Sequence, residues 1–425
     1  MIRYDNTLVA VVGAGPAGLM AAYSAASDGA KVVLFDRNTE PGRKLLLTGG
    51  GRCNVTHDGE WAELISAFFG GGRFLYPAFR ALSNRDTVSW FEFRGISVIR
   101  ENGGKVFPRS GSASDIRDTL VHACREAGVE VRTGTRIRGI EPGDGRFRLQ
   151  TGERSGWEAA AVVLATGGLS YPATGSDGDG LRWAVKLGVP VVSTRPALAP
   201  LRSAEGWVGR LAGVSVDPVR AMLIRRDAEG KEETAGRAEG ALLFTHRGLS
   251  GPVVLRLSRD LPGSWSGEIT YAVLLDLLPD AGLGDLTAQM EALLRAAPKK
   301  TAVNALAGLL PASLTAAVLR QAGVETHTTA GTLSAKRCRE AAERCKRLEV
   351  RIAGPARYAE AMVTAGGIAQ SALDPRTMGV KEHPGLFAAG EIVDIDGDTG
   401  GYNLQAAFST GWVAGCHAAA YVRRK

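Results

Sequence analysis

A chain of 425 residues is too long for one simple hydrophobic core, and at roughly 150 residues per domain it divides into two or three. Its formal net charge of +7, from 51 basic against 44 acidic side chains, permits an acidic partner such as nucleic acid or an anionic substrate, but the charges are scattered along the chain, with short clusters only at Arg225-Arg226 and Arg423-Arg424-Lys425, and read better as a solvated basic surface, so nucleic acid is not the expected partner. No apolar run approaches the roughly 18 to 20 residues of a membrane span, residues 1 to 7 leave no room for a signal peptide, and five cysteines without a CxxC pair fit reduced thiols, so a cytoplasmic protein with no metal site is expected.

Leu8-Val9-Ala10-Val11-Val12 is a continuous apolar run, as expected of a parallel strand covered on both faces. Gly13-Ala14-Gly15-Pro16-Ala17-Gly18 follows, then an Ala-rich helical stretch to about Ser27, then a second apolar run from Lys31 to Phe35 that ends in Asp36. This is a βαβ unit with a dinucleotide fingerprint. Gly13 allows the tight turn, Gly15 lets the backbone approach a pyrophosphate, Gly18 lets helix and strand pack closely, and Asp36 stands where a ribose hydroxyl is bound. The pyrophosphate is expected on the helix N-terminus, where free N–H groups and the dipole favour negative charge.

Residues 45 to 57 read LLLTGGGRCNVTH. Three glycines in a row lose much backbone freedom on folding, which asks what lies so close that no side chain fits. Further on, Ala161-Val162-Val163-Leu164-Ala165-Thr166-Gly167-Gly168 reads as a strand ending in a Thr-Gly-Gly turn.

Between Gly188 and Ala365 no second GxGxxG appears, so any nicotinamide nucleotide must dock transiently. The alternation of short apolar runs with Gly, Pro and charged turns predicts a β-rich segment over 191–275. Leu, Ala and Val at three and four residue spacings from about Leu286 to Gln321 predict helices bounded by Pro298 and Pro311, and Lys336 to Val350 reads as helix then strand. The expected organisation is a discontinuous nucleotide-binding domain, 1–190 and 357–425, interrupted by an inserted substrate or cap domain, 191–356, which is β-rich over 191–275 and 325–356 and helical over 276–324.

Within the insertion, Leu242-Leu243-Phe244-Thr245-His246-Arg247-Gly248-Leu249-Ser250-Gly251-Pro252 is the densest chemical constellation, read as a strand, a glycine loop and a helix. Two readings stand for it. His246 can give or take the proton that accompanies hydride transfer, with Arg247 and Ser250 orienting a substrate; or the loop is an interdomain hinge whose histidine caps a carbonyl. The other five histidines have no comparable neighbours in sequence.

Near the end, Gly385 to Glu391 is a strand closing on an acid, and Asp394 to Gln405 is a Gly-rich loop feeding a helix that runs to about Tyr421. Such a helix N-terminus would stabilise negative charge on the pyrimidine edge of a reduced flavin. Three strand-end fingerprints together select FAD over NAD, and the opening question then has an answer: the glycine triplet lies against the flavin ring, with Arg52 and Asn54 in polar contact with ring or substrate. Cys53 has no partner cysteine nearby and is expected to be a packed thiol.

The stretches GAGPAG, GRKLLLTGGGRCNVTH, KVFPRSGSASDI, ATGGLSYPATGSDGDGLRWA, LLFTHRGLSGPVVLRLS and TAGGIAQSALDPRTMGVKEHPGLFAAGEIVDIDGDTGGYNLQAAFSTG, in this order, resemble the bacterial family of NAD(P)/FAD-dependent oxidoreductases that includes aminoacetone oxidase and a bile-acid-pathway flavin reductase. The resemblance implies an α/β fold with a Rossmann-like FAD-binding domain of the glutathione reductase and fumarate reductase type, and noncovalent FAD. The candidate cofactor contacts are Gly13, Gly15, Pro16, Ala17, Gly18, Asp36, Arg37, Lys44, Thr48, Gly49, Gly50, Gly51, Arg52, Cys53, Asn54, Ala165, Thr166, Gly167, Gly390, Glu391, Asp394, Gly401, Tyr402, Asn403, Leu404 and Gln405. Generic flavoproteins end the third fingerprint in Gly-Asp; here it is Gly390-Glu391 with Asp394 close behind, and either carboxylate can meet the ribityl chain. The candidate catalytic residues are His246, Arg52 and Ser250. The expected activity is hydride transfer between flavin N5 and a small organic substrate, with NAD(P)H or oxygen as second partner; the alternative is an FAD-containing protein that modifies or binds RNA.

Overall fold

The apolar runs that open the chain become parallel strands. The computed structural model describes residues 7–101, 103–152, 156–354 and 356–425; residues 1–6, on which the expectation about a signal peptide rests, lie outside them. The chain forms two units, Met1–Arg195 with Met362–Lys425, and Pro196–Ala361.

In the first unit five parallel strands lie in the order Leu386–Ala388, Ala161–Leu164, Leu8–Val12, Lys31–Phe35 and Glu130–Arg132. Leu8–Val12 and Ala161–Leu164 are buried along their whole length, as unbroken apolar sequence in a parallel sheet requires. The crossover from Glu130–Arg132 to Ala161–Leu164 carries a three-stranded antiparallel sheet of Ile137–Gly143, Arg146–Thr151 and Trp157–Ala159. The helix Pro16–Ser27 packs against the C-terminal helix Tyr402–Val422 almost backbone to backbone: a Cβ on Gly411 would stand 2.3 Å from the Ala17 carbonyl oxygen, and one on Gly415 2.2 Å from that of Ala21. Since the contact advances in the same direction on both, the helices run parallel and start at the same end, beside the carboxyl ends of the strands. In a parallel sheet that edge is where ligands bind.

The second unit is built on a six-stranded antiparallel sheet in the order Leu201–Arg202, Gly248–Ser250, Glu232–Thr245, Ser215–Arg226, Thr270–Asp276 and Leu348–Ile352. Helices Leu283–Ala296, Ala312–Gln321 and Ala335–Lys346 close its own core with Leu286, Met290, Leu314 and Leu319. Pro311 stands at the N-cap of the second of these helices, and the first ends two residues before Pro298. Among the described residues no helix is long and apolar enough to cross a membrane.

Candidate functional site

Each glycine of the first fingerprint does what its position demands. Gly13 has φ +104, and a Cβ there would stand 2.4 Å from the Ala165 carbonyl oxygen; a Cβ on Gly18 would stand 1.7 Å from that of Gly13. A Cβ on Gly15 would meet nothing within 4 Å, so the space before the helix is open. Helix Pro16–Ser27 begins with no side-chain cap and no acid in its first turn, and the same holds for Tyr402–Val422, whose N-cap is Gly401. Two uncapped N-termini at one sheet edge leave orphan N–H groups facing a site suited to negative charge. On the next strand's turn, Thr166 Oγ1 is buried with no hydrogen-bond partner among the described residues. These features fit a dinucleotide.

At the end of the second strand Asp36 is almost wholly buried. Its carboxylate accepts from Ala14 N and Asn38 N, both at 2.7 Å, which ties the second strand to the glycine turn. Burial pushes this carboxyl up, and the Asn38 and Ala14 N–H groups with the Arg37 charge only partly offset it. Arg37 is ion-paired to Asp177, and Arg136 and Arg182 join Asp177 and Asp179 in the same cluster.

The third fingerprint meets the stretch before the glycine triplet in an ion pair that sequence spacing gave no reason to expect. Lys44 Nζ is paired with Glu391 and donates to Ser170 Oγ, while Ser170 Oγ donates to Glu391. Glu391 also accepts from Thr364 N at 2.9 Å, and Thr364 Oγ1 accepts from Leu169 N and Ser170 N at 2.8 and 3.0 Å. Burial raises the Glu391 carboxyl, but the Lys44 charge and the hydrogen bonds from Lys44, Ser170 and Thr364 outweigh it, leaving the group below the usual glutamate range. Asp394 instead accepts from Gly366 N at 3.1 Å. Gly390, with φ +75, packs against the first helix, where a Cβ would stand 2.7 Å from Ala17 Cβ.

The glycine triplet has a reason in its own backbone, whatever lies against it. Gly49, Gly50 and Gly51 have φ of 58°, 67° and 88°, so the handedness of the backbone itself calls for glycine. Only at Gly49 does a close neighbour appear, and it is protein: a Cβ would stand 2.9 Å from Asn54 N and 3.0 Å from the Phe107 ring. The side chains on either side of it are bonded to the protein. Thr48 Oγ1 donates back to Leu45 O, Arg52 pairs with Glu101 and lies 3.9 Å over the Phe107 ring, and Asn54 Oδ1 accepts from Val106 N. Cys53 is 0% exposed, and burial pushes its thiol up to about 12, so it is packed and held in the neutral thiol form.

At the start of the C-terminal helix, Tyr402 stacks on His57 with ring centroids 4.5 Å apart, and His57 Nδ1 lies 3.2 Å from Gly400 O. His57 thus has the close neighbours that its place in the sequence gave no sign of. Asn403 is spent on the loop before it, accepting from Gly397 N and donating to Gly397 O and Asp398 O. The Gln405 side chain is wholly buried, bonded to Thr56, Thr87, Ser409 and the Leu82 carbonyl. Of the predicted contacts in this stretch, the Asn403 side chain is bonded to the preceding loop and that of Gln405 to the interior, while Gly401, Tyr402 and Leu404 stand at the helix start.

In the second unit the predicted glycine loop is a hairpin. His246 and Arg247 are the two-residue turn between Glu232–Thr245 and Gly248–Ser250, and the helix Pro252–Leu257 comes only after that second strand. His246 and Arg247 are exposed, whereas Ser250 is half-buried in the sheet opposite Leu243.

Parallel sheet, glycine fingerprint and paired helix ends define a Rossmann-type FAD-binding unit of an oxidoreductase. A family model described as the HI0933-like protein Rossmann domain matches residues 7–417, and the chain belongs to that family. It is similar to a 3-dehydro-bile acid delta(4,6)-reductase of Clostridium scindens, 29% identical over 416 residues that span 97% of this chain and 98% of that one. It is likewise similar to a ribosomal RNA dihydrouridine synthase of Escherichia coli, 32% identical over 417 residues, 97% of each chain. Among solved structures, the 3-ketosteroid delta1-dehydrogenase of Sterolibacterium denitrificans aligns with a TM-score of 0.51 at 14% identity, over 97% of this chain and 100% of that one, a likeness of fold alone. The family and fold implied by the motifs are borne out.

Proposed function

We propose that the protein is an FAD-dependent reductase that saturates a carbon–carbon double bond conjugated with a carbonyl group, on a small organic substrate, with NAD(P)H as the source of the hydride. The observation that carries this reading is chemical. Two relatives matched over 97% of the chain have unlike substrates in their names, a 3-oxo bile acid with Δ4,6 unsaturation and a uridine, yet both names describe work on a double bond polarised by a carbonyl. Bound FAD supplies the hydride at N5. This chain's residues do the rest: Gly13, Gly15 and the helix at Pro16 hold the pyrophosphate, Asp36 the adenosine ribose, and Lys44 with Glu391 the ribityl segment, while the uncapped helix end at Tyr402 favours negative charge on the reduced ring. The backbone of Gly49–Gly51 would lie along the ring. No second dinucleotide fingerprint exists in the chain, so the nicotinamide nucleotide visits rather than resides.

A second reading, reduction of uridine within ribosomal RNA, is favoured by the 32% identity to the Escherichia coli synthase and is compatible with the net charge of +7. One experiment addresses both. NADPH-driven turnover is followed by mass spectrometry of a 3-oxo-4-ene steroid and, separately, of an unmodified ribosomal RNA transcript. A gain of two hydrogens in the steroid supports the first reading, the same gain at a uridine supports the second, and a gain in neither removes both.

A further inference from the structure

One residue of the FAD-binding unit is held in a costly conformation for which packing gives no reason. Four non-glycine residues with left-handed φ are found among the described residues: Cys53, Tyr171, Leu198 and Met378. Cys53, Leu198 and Met378 are 0%, 2% and 0% exposed, so each spends the strained backbone on sinking an apolar group into a core. Tyr171, with φ 50° and ψ 59°, is different: its side chain is only half-buried. An aromatic side chain in this region is an outlier that persists only where its surroundings overdetermine it, and such outliers gather at functional sites.

The surroundings do overdetermine it. On one side Ser170 is 0% exposed and locked by its hydroxyl into the Lys44–Glu391 pair and by its N–H onto Thr364. On the other, the Tyr171 carbonyl accepts from both Thr174 N and Thr174 Oγ1, at 2.8 and 2.7 Å, closing a tight turn through Pro172 that Asn38 Nδ2 fastens by a 3.0 Å bond to Thr174 O. The first flank is bonded to Lys44 and Glu391, which hold the cofactor in the proposed reading, and the second to Asn38, whose N–H donates to Asp36. The phenol alone is left over: among the described residues its ring makes no hydrogen bond, ion pair or aromatic contact. Burial pushes its ionisation above the ordinary tyrosine value, so at neutral pH it is a proton donor and never a base.

We propose that Tyr171 is the catalytic proton donor, delivering its Oη proton to the carbon next to the substrate carbonyl as hydride reaches the far carbon of the double bond. This rests on the reductase reading above. The Oη–H bond breaks, a C–H bond forms at each carbon of the double bond, and its π bond is lost. The substrate gains two electrons from the reduced FAD, which NAD(P)H restores, and the phenolate takes a proton back from water.

The test uses the intact FAD-loaded protein, reduced anaerobically with dithionite and then mixed with cyclohex-2-en-1-one or with a 3-oxo-4-ene steroid. Tyr171→Phe keeps the ring and removes only the proton. It is expected to hold FAD and melt like the wild type, and to be reoxidised by ferricyanide, which needs no proton at carbon, at the wild-type rate. Reoxidation by the enone should fall by roughly 10² to 10⁴, the usual worth of a general acid, and the alkaline limb of the wild-type pH profile should vanish. Independently of turnover, the wild-type-minus-variant difference in tyrosinate absorbance of the apoprotein should reveal a phenol ionising above the ordinary value of 10.0. Enone reoxidation of Tyr171→Phe within threefold of wild type overturns the role, as does loss of FAD or fold in that variant, which makes the residue structural. A wild-type protein that neither enone reoxidises overturns the reductase reading itself, and the role with it.

Discussion

Two turns, one in each unit, carry side chains that could move a proton, and they are built in opposite ways. The turn Leu169–Gly175 of the first unit is bonded on every side, to Thr364, Lys44, Glu391 and Asn38, and leaves one phenol unengaged. The turn at His246-Arg247 of the second unit is the tip of a hairpin, with both side chains in water and Arg247 reaching Glu360 only at 3.7 Å. By residue type the hairpin tip is the richer of the two, since a histidine, an arginine and a serine stand together among glycines. On the proposed assignment of Tyr171, the difference teaches that tertiary bonds that aim a group matter more than residue type, because catalysis needs a group held in one geometry.

The comparison breaks most completely if the first unit does not hold the cofactor. Gly15→Val puts a branched side chain where a Cβ now meets nothing within 4 Å, in the space left for a pyrophosphate, and FAD occupancy should fall to background in a protein that still folds. A folded variant with near-normal flavin would remove the Rossmann assignment of the site.

The next effect concerns the ion pair that anchors the turn. Lys44→Met strands Glu391; loss of one partner of a buried pair costs about 3 to 5 kcal/mol, and with both side chains one-fifth exposed about 1 to 3 kcal/mol is expected from chemical denaturation, after the discount for solvent screening. Glu391 also gives the effect a pH signature. Its folded value lies below its ordinary 4.5, so in the wild type its contribution is complete above that value and is lost as pH falls through the lower folded value. Without Lys44 the loss should begin at higher pH, and an unchanged acid limb would show that Lys44 does not hold the carboxylate.

A smaller effect is expected at the hairpin tip. His246→Ala removes an exposed side chain, so stability should change by no more than about 0.5 kcal/mol, and enone reduction should stay within about threefold of wild type if the proton comes from the first unit. A drop of roughly 10² or more with FAD and fold intact would move the donor to His246. The smallest effect is a lack of one. With the Cys53 thiol at about 12, a fraction on the order of 10⁻⁴ is thiolate at pH 8, and iodoacetamide should leave Cys53 of the native protein unmodified in a peptide map.

The parts of the molecule legible in sequence are those that depend on near neighbours. The strands Leu8–Val12 and Lys31–Phe35 and the helix between them follow from apolar runs and glycine spacing within some thirty residues, and the last helix ends one residue beyond the expected Tyr421. What stayed hidden joins distant segments. Lys44 and Glu391 are 347 positions apart and Ser170 and Glu391 221, so no local pattern could pair them. Tyr171 stands in a family motif with no role that sequence assigns, because a left-handed backbone is invisible until the flanks are bonded. His57 and Tyr402 likewise meet only across the fold. The inward turn of Gln405 is set by which face of the helix packs on Leu82 and Thr87, not by its nearness to the helix start. The hairpin at His246 is hard to foresee because its turn lacks the Asn-Gly or Asp-Gly pair that announces such turns.

The most direct test of the central claim, that residues of the first unit hold FAD noncovalently, is the flavin content of the purified protein before and after acid precipitation. The account predicts a yellow protein carrying one FAD per chain, with all of the colour released to the supernatant. A colourless protein that cannot be reconstituted with FAD, or flavin that stays with the pellet, would contradict it.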